Sequence, residues 1–300
     1  MAVVIPFNRE SGFTPGQADQ VSPLIRRVLS PNPGPFTFMG TNSYIIGQGT
    51  VAIIDPGPAI PAHRAALLAA VAGERVSHIL VTHTHIDHSP LAASLKDATA
   101  AIVAGYGPHG AGKAEEGVTV EEGGDMDFDP ELKLRDGDRI AGPGWTLEAV
   151  YTPGHCSNHL CYALVEEQSL ITGDHVMSWS TSVVVPPDGD MTDYMASLER
   201  LRARADRVLW PAHGGPIRAP GPFLDAFIAH RNEREAQIAK ALASGPSRIP
   251  DLVKQIYTDV APSLHPAAAL SVHAHLIRMV DEGRARVDGT PSLKATYRVP

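Results

Sequence analysis

Two spacings of apolar residues take turns along this chain, and the changeovers mark its elements. Leu24–Leu29 alternates apolar and polar positions as an edge strand does, and Phe36–Met39 follows. Asn42–Gly47 and Val51–Gly57 read as a hairpin around Gly47-Gln48-Gly49. Pro61 to Ala72 is rich in Ala and Leu behind a first-turn Pro, which predicts a helix. Ile79-Leu80-Val81 is a short buried strand, and Ser89 to Lys96 a short helix with Ser89 as its N-cap. Strands return at Trp145–Val150, His159–Leu164 and Ser169–Thr172. A helix over Tyr194–Arg204 then carries Met195, Leu198 and Leu201 on one stripe. Strand Arg207–Trp210 precedes a long helix, Phe223 to Ala243, with Leu224, Phe227, Ile228, Ile238 and Leu242 inward. His230-Arg231-Asn232-Glu233-Arg234-Glu235 forms its polar middle, and Ser244-Gly245-Pro246 ends it.

A run of strands followed by alternating helix and strand points to a layered α/β domain over residues 23–244. Residues 1–22, rich in Gly, Pro and polar groups, read as an N-terminal arm on the surface. Residues 245–300 have a different texture: helices at Pro250–Tyr257 and His265–Gly283, then a hairpin from Arg284–Gly289 and Ala295–Val299. Helix, helix, hairpin is the outline of a small winged-helix unit.

Composition sharpens this only in places. A hydrophobic fraction of 43% over 300 residues supplies a full core and excludes a disordered chain. A net charge of −8 excludes nucleic-acid binding through the whole surface. The tail departs from that balance, with seven Lys and Arg against five acids, a charge that permits RNA contact and does not demand it. Two cysteines, Cys156 and Cys161, cannot form a disulfide framework, which suggests a reducing compartment. No basic n-region and no apolar stretch long enough for a membrane span is visible, so the expectation is a cytoplasmic protein with no membrane partner. The segment His109–Asp129, with Glu115, Glu116, Glu121, Glu122, Asp125, Asp127 and Asp129, reads as a solvated acidic loop placed to cover part of the active-site mouth.

The chemistry gathers in Val81-Thr82-His83-Thr84-His85-Ile86-Asp87-His88-Ser89. Four ligand-type residues fall within six positions at the end of a buried strand. On an extended segment His83 and His85 point to one side, and the turn that follows lets Asp87 and His88 reach a second point nearby. Imidazole with carboxylate suits zinc, and two clusters on one loop suit two metals about 3.5–4 Å apart. By strand alternation Cys156, directly after His155, is expected to face the opposite side as a small buried residue.

His-x-His-x-Asp-His resembles the signature of the metallo-β-lactamase superfamily. The other motifs of that family stand here in order: Asp55 at the end of Val51-Ala52-Ile53-Ile54, His155 in Thr-Pro-Gly-His, Asp174 in Thr-Gly-Asp-His, and His213 in Pro-Ala-His-Gly. The resemblance implies a four-layer αββα sandwich and two metal ions, zinc first, with iron or manganese as alternatives. It assigns His83, His85 and His155 to one ion and Asp87, His88 and His213 to the other, with Asp174 bridging both. A metal-bridging hydroxide would be the nucleophile, Asp87 would orient it or pass a proton to the leaving group, and Asp55 would fix a ligand ring from behind. Tyr194, His159 and His175 are candidate substrate contacts, each against a structural role. An aspartate at 174 disfavours antibiotic hydrolysis as the native role.

Asp193-Tyr194-Met195-Ala196-Ser197-Leu198, Pro-Ala-His-Gly-Gly-Pro-Ile, His230-Arg231-Asn232-Glu233-Arg234 and the helix–helix–wing tail resemble the β-lactamase-like protein two branch, whose members cut single-stranded RNA. The tail is only mildly basic, however, and carries no basic strip interleaved with aromatics. Three functions follow: a two-metal hydrolase of an RNA phosphodiester, a hydrolase of a small thioester or lactone, and a non-catalytic binding protein. Seven intact ligands weigh against the third. The expected partners are a small molecule or single-stranded RNA, with a homodimer also compatible.

Overall fold

The computed structural model describes residues 3–10, 12–112, 123–258 and 260–300. The chain opens with strands β1 (Ala18–Ser22), β2 (Ile25–Leu29), β3 (Asn42–Gln48) and β4 (Thr50–Ile54), joined as antiparallel neighbours. Helix α1 (Pro61–Ala70) leads to β5 (Arg75–Leu80), and α2 (Ala92–Thr99) leads to β6 (Ile102–Gly105); these strands join in parallel, as crossover helices require. The short β7 (Leu132–Lys133) completes a sheet of seven strands in chain order among the described residues.

A second sheet follows from β8 (Arg139–Gly142), β9 (Trp145–Tyr151), β10 (Leu160–Leu164) and β11 (Ser169–Gly173). After α3 (Met191–Arg202), β12 (Val208–Pro211) joins it parallel to β11. The long α4 (Pro220–Ala243) leads to the C-terminal unit. That unit consists of β13 (Ser247–Arg248), α5 (Ile249–Ile256), α6 (His265–Asp281), β14 (Arg286–Val287) and β15 (Thr296–Arg298), the strands in the order β13-β15-β14.

Alternation of side chains explains the layering. On the first sheet Tyr44, Ile46 and Ile54 meet Leu147, Leu160, Tyr162 and Trp210 of the second in one buried cluster. Their neighbours Ile45 and Ile53 turn the other way, onto Leu67 of α1 and Leu95 of α2. On the second sheet Cys161, Leu170 and Leu209 turn outward onto Leu198 and Leu201 of α3 and onto Leu224 and Phe227 of α4. Each sheet is thus apolar on both faces, and the result is helix, sheet, sheet, helix: the α/β sandwich, with a winged-helix domain at its C-terminal end. Helix α4 serves two cores, since Ile238 and Leu242 in its last turns pack with Leu252, Val272, Leu276 and Tyr297 of the C-terminal unit. Among the described residues no helix is long and apolar enough to cross a membrane.

Several local expectations are corrected. Leu24–Leu29 is interior, because Ala18–Ser22, from the expected arm, pairs with β2 and takes the edge. The polar composition of that strand, tolerable where only one neighbour exists, hid it. Earlier arm residues are packed too: Ile5 is in the core, and Phe7 meets Phe223 and Phe227 edge-on at 6.5 and 6.3 Å. Phe36–Met39 is a turn, with Phe38 at φ 55° and bridged to Gly34. Ser89 does not cap α2; its hydroxyl donates to Asp125 Oδ2 at 2.6 Å, and the helix begins three residues later. Helix α3 starts before Tyr194, where the Asp190 carboxylate accepts from the backbone N–H groups of Thr192 and Asp193. Of the acidic loop, Glu115, Glu116, Glu121 and Glu122 lie outside the described residues.

Candidate metal centre

Five segments end at one rim of the sandwich, where strands stop and loops begin. Strand β4 delivers Asp55, β5 runs through Val81 into His83, His85, Asp87 and His88, β11 delivers Asp174, and β12 delivers His213. The turn between β9 and β10 carries His155. Its sharpness depends on Gly154, at φ +128°, where a Cβ would stand 2.3 Å from the Tyr194 backbone.

The donor atoms converge. His83 Nε2 and His155 Nε2 lie 3.0 and 3.1 Å from His85 Nδ1. Nitrogens about 2.0–2.1 Å from a tetrahedral ion would stand about 3.3 Å apart, so this triangle fits one metal closely. Beside it, Asp87 Oδ2 is 3.4 Å from His88 Nε2 and 3.3 Å from His213 Nε2. Asp174 lies between the sets, its Oδ2 3.8 Å from His155 Nε2 and 3.7 Å from His88 Nε2, its Oδ1 3.2 Å from His213 Nε2. His88 Nε2, His213 Nε2 and Asp174 Oδ1 are buried without a hydrogen-bond partner, as donors left for an ion are. The cluster is therefore able to bind metal ions.

Four of the five rings are anchored by their other nitrogen. Nδ1 of His83 faces Thr82 Oγ at 3.0 Å, Nδ1 of His88 faces Asp55 Oδ2 at 3.0 Å, Nδ1 of His155 faces the Val183 carbonyl at 2.5 Å, and Nδ1 of His213 faces the Gly40 carbonyl at 3.1 Å. Since carbonyl and carboxylate oxygens only accept, Nδ1 carries a proton in the last three, and Nε2 is the nitrogen each ring turns towards the cluster. Asp55, itself at φ 50°, also accepts from Thr82 N at 2.7 Å and Thr82 Oγ at 2.8 Å. Thr41 Oγ donates to Asp87 Oδ2 at 3.0 Å.

Electrostatics divide the two sets. Burial, aided by neighbouring imidazoles, drives His83 well below the ordinary imidazole range and His85 to about 3, so both are neutral donors. In the other set burial opposes charge and loses: Asp87, Asp174 and Asp55 hold His88 well above its ordinary value, and Asp174 with Asp87 holds His213 at about 10. Burial would raise the carboxyls, yet His88 and His213 keep Asp87 and Asp174 well below the carboxylate range. The space between these carboxylates stabilises positive charge, the demand a divalent cation meets.

Over this cluster opens a cavity of about 270 Å³. Its wall is mainly apolar: Phe36, Ile86, Met177, Val183 and Val185 from the sandwich, and Leu270 from α6 of the C-terminal unit. Gly123, beside the ligand loop, belongs to it as well, and no Lys or Arg lines it among the described residues. Tyr194, His159 and His175 do not reach it. Tyr194 is fully buried and donates its hydroxyl to the His175 carbonyl at 2.9 Å; His159 Nδ1 faces Thr152 Oγ at 2.9 Å, and its ring lies 5.1 Å from that of His83. Burial holds His175 at about 3 and His159 well below its ordinary value.

Cys156 is corrected in the opposite sense. Its Sγ lies 3.4 Å from His85 Nε2, and it stands with His83, His85 and His155 as a group able to hold an ion. Residues 153–158 form a turn, not a strand, so alternation does not apply; Pro153-Gly154 was the available signal. Thr41, Gly40 and the Val183 carbonyl were beyond sequence reasoning, since no spacing or residue type marks them.

The profile of the family described as "Metallo-beta-lactamase superfamily" matches residues 36–213, and that of the "Beta-lactamase associated winged helix domain" matches residues 249–293. An atrochrysone carboxyl ACP thioesterase of Cryptosporiopsis sp. (strain 8999) is 34% identical over 75% of this chain, which spans 64% of that protein's length. A beta-lactamase-like protein 2 homolog of Drosophila melanogaster is 32% identical over 87% of this chain and 89% of its own. Among solved structures, a metallo-beta-lactamase family protein of Thermus thermophilus superposes with a TM-score of 0.75 at 25% identity, covering 94% of this chain and all of that one.

Proposed function

The chain belongs to the metallo-β-lactamase superfamily, and from that premise we propose that it is a metal-dependent hydrolase of an ester-like bond, foremost a thioester, in a substrate with an apolar acyl group. The observation that carries this reading is the cavity wall: apolar side chains surround the donor cluster, and no cation lines it among the described residues. A polyanionic strand is held by Lys and Arg on its phosphates, whereas an acyl chain is held by apolar surface. Three of the seven basic residues of the C-terminal domain are engaged by carboxylates. Arg278 and Arg284 are paired with Glu235 and Glu282, and Arg298 with Asp288. The likeness to a carboxyl ACP thioesterase points the same way.

His83, His85 and His155 would hold one ion, Asp87, His88 and His213 a second, with Asp174 between; zinc suits this imidazole-rich set. When bound, such ions supply Lewis acidity that activates water and polarises the scissile carbonyl. The residues do the rest. Asp55 fixes the His88 tautomer, and Thr41 orients the Asp87 carboxylate. Asp87 lines the cavity and is placed to take a proton from water and return it at the leaving sulfur. The apolar wall seats the acyl group and thins out competing water.

The second reading, hydrolysis of single-stranded RNA, rests on the likeness to beta-lactamase-like protein 2 homologues. One assay separates the two. The protein is incubated with acyl thioesters of increasing chain length, a lactone series and single-stranded RNA, with and without chelator, after elemental analysis to identify the bound metal. Chelator-sensitive thioester hydrolysis that rises with chain length is expected. Cleavage of RNA alone would overturn the acyl reading and establish the second.

A further inference from the structure

Arg231 is a cation in an unusual place. It sits in the middle of α4 with 3% of its surface exposed, and no carboxylate of the described residues lies within ion-pair distance of it. A buried charge without a counter-charge is costly and persists only where hydrogen bonds and packing hold it. Two contacts hold this one. Its Nη2 donates to the Ser182 carbonyl, and its guanidinium lies over the Tyr194 ring at 5.0 Å from the centroid. Its Nε has no partner.

The carbonyl it grips belongs to a segment with one task in the metal centre. Ser182 immediately precedes Val183, whose carbonyl faces His155 Nδ1, while the Val183 and Val185 side chains line the cavity. The segment is otherwise tied by Ser182 Oγ, which donates to the His175 carbonyl at 2.9 Å, and by Val185 O, which accepts from Gly189 N at 2.8 Å. His155 is the one ligand of its triad that does not come from the strand-end motif. Its ring orientation depends on this loop.

We propose that Arg231 is a positioning residue for the metal centre, holding segment 182–185 so that the Val183 carbonyl orients His155 towards the ion shared with His83 and His85. A planar guanidinium can aim a donor at a carbonyl while lying on an aromatic face; an ammonium cannot do both. The role rests on the metal-centre reading above.

The test follows metal, not turnover. Apo protein, Arg231→Met and Arg231→Lys are titrated with Co²⁺ against a chelator of known affinity. Metal per chain, d–d absorption and the melting temperature of each apo form are recorded. Losing a partner behind a ligand ring typically weakens metal binding about ten- to a hundredfold. The Met variant is expected to show that loss at one of two sites with an altered Co²⁺ spectrum, and the Lys variant a partial recovery. Wild-type affinity and spectrum in both variants would overturn the proposal, whatever their melting temperatures. Should the Met variant not fold, the Lys variant decides by the same readouts. Wild-type protein that takes up no Co²⁺ would sink the metal-centre reading and this inference with it, whereas two tight sites in Arg231→Met sink the inference alone.

Discussion

Asp174 shows how much a single side chain carries here. Among the described residues it is the one carboxylate within 4 Å of ring nitrogens from both donor sets, at 3.8 Å from His155 and 3.2 and 3.7 Å from His213 and His88. Asp174→Ala removes the carboxylate near both sets and leaves Asp87, among the described residues, as the one within 4 Å of His88 Nε2 and His213 Nε2. One metal per chain in place of two is expected, with kcat down at least a hundredfold; elemental analysis beside a turnover assay checks both. An unchanged metal count would remove Asp174 from the bridging position. The convergence of that residue with His83, His85, Asp87, His88, His155 and His213 into groups able to hold an ion was legible in the sequence, because such a cluster draws on specific residue types next to strand ends. What held the ligands from behind was less legible. Asp55 could be named because its motif is part of the signature, but a backbone carbonyl such as that of Val183 carries no residue code. Cys156 was misread for a physical reason: the strand rule was applied to a Pro-Gly turn.

Helix α4 is the element whose meaning changed most between sequence and structure. Its periodicity placed Leu224, Phe227, Ile228, Ile238 and Leu242 inward, and all are buried but Ile228, which is partly so; Arg231 and Glu235 of the polar middle are buried as well. Glu235 accepts from His275 Nδ1 at 3.1 Å, from Arg278 at 2.9 Å and from Arg284. Periodicity could not reveal this, because it says which face is apolar and not which neighbour will cover the other face. Burial alone would raise the Glu235 carboxyl; the His275 hydrogen bond and the two guanidiniums outweigh it and hold the group at about 2, below its ordinary 4.5. A depressed carboxyl contributes stability that is fully present above the ordinary value and fades as pH falls towards the folded one. Glu235→Gln should therefore destabilise the protein by about 3 kcal/mol near neutral pH, the scale for breaking a buried pair. The gap to wild type should narrow between pH about 4.5 and 2. Melting temperatures of both proteins across that range provide the check, and a gap independent of pH would mean that the ion pairs contribute nothing.

At the scale of the whole molecule, the sandwich and the winged-helix domain share more than a linker. The sandwich alone presents the seven donors, but Ala267 and Leu270 of α6 close one side of the cavity above them. Sequence patterning foresaw both domains and could not foresee this contact, because the tail's apolar residues satisfy its own core and leave no pattern for the few that face outward. If the C-terminal domain serves as the wall against which the acyl group lies, its influence should fall on substrate length and leave the chemistry at the metals untouched. Leu270→Asp places a carboxylate on that wall, where a chain of several methylenes would otherwise be desolvated. Removing apolar contact of one side chain is worth about 1–3 kcal/mol, so the Michaelis constant for long-chain thioesters should rise about ten- to a hundredfold. An acetyl thioester, which has no chain of methylenes to lay on that wall, should be turned over as by the wild type, with metal content unchanged. Equal losses on short and long substrates would place Leu270 in the support of the fold and return the acyl pocket to the sandwich alone.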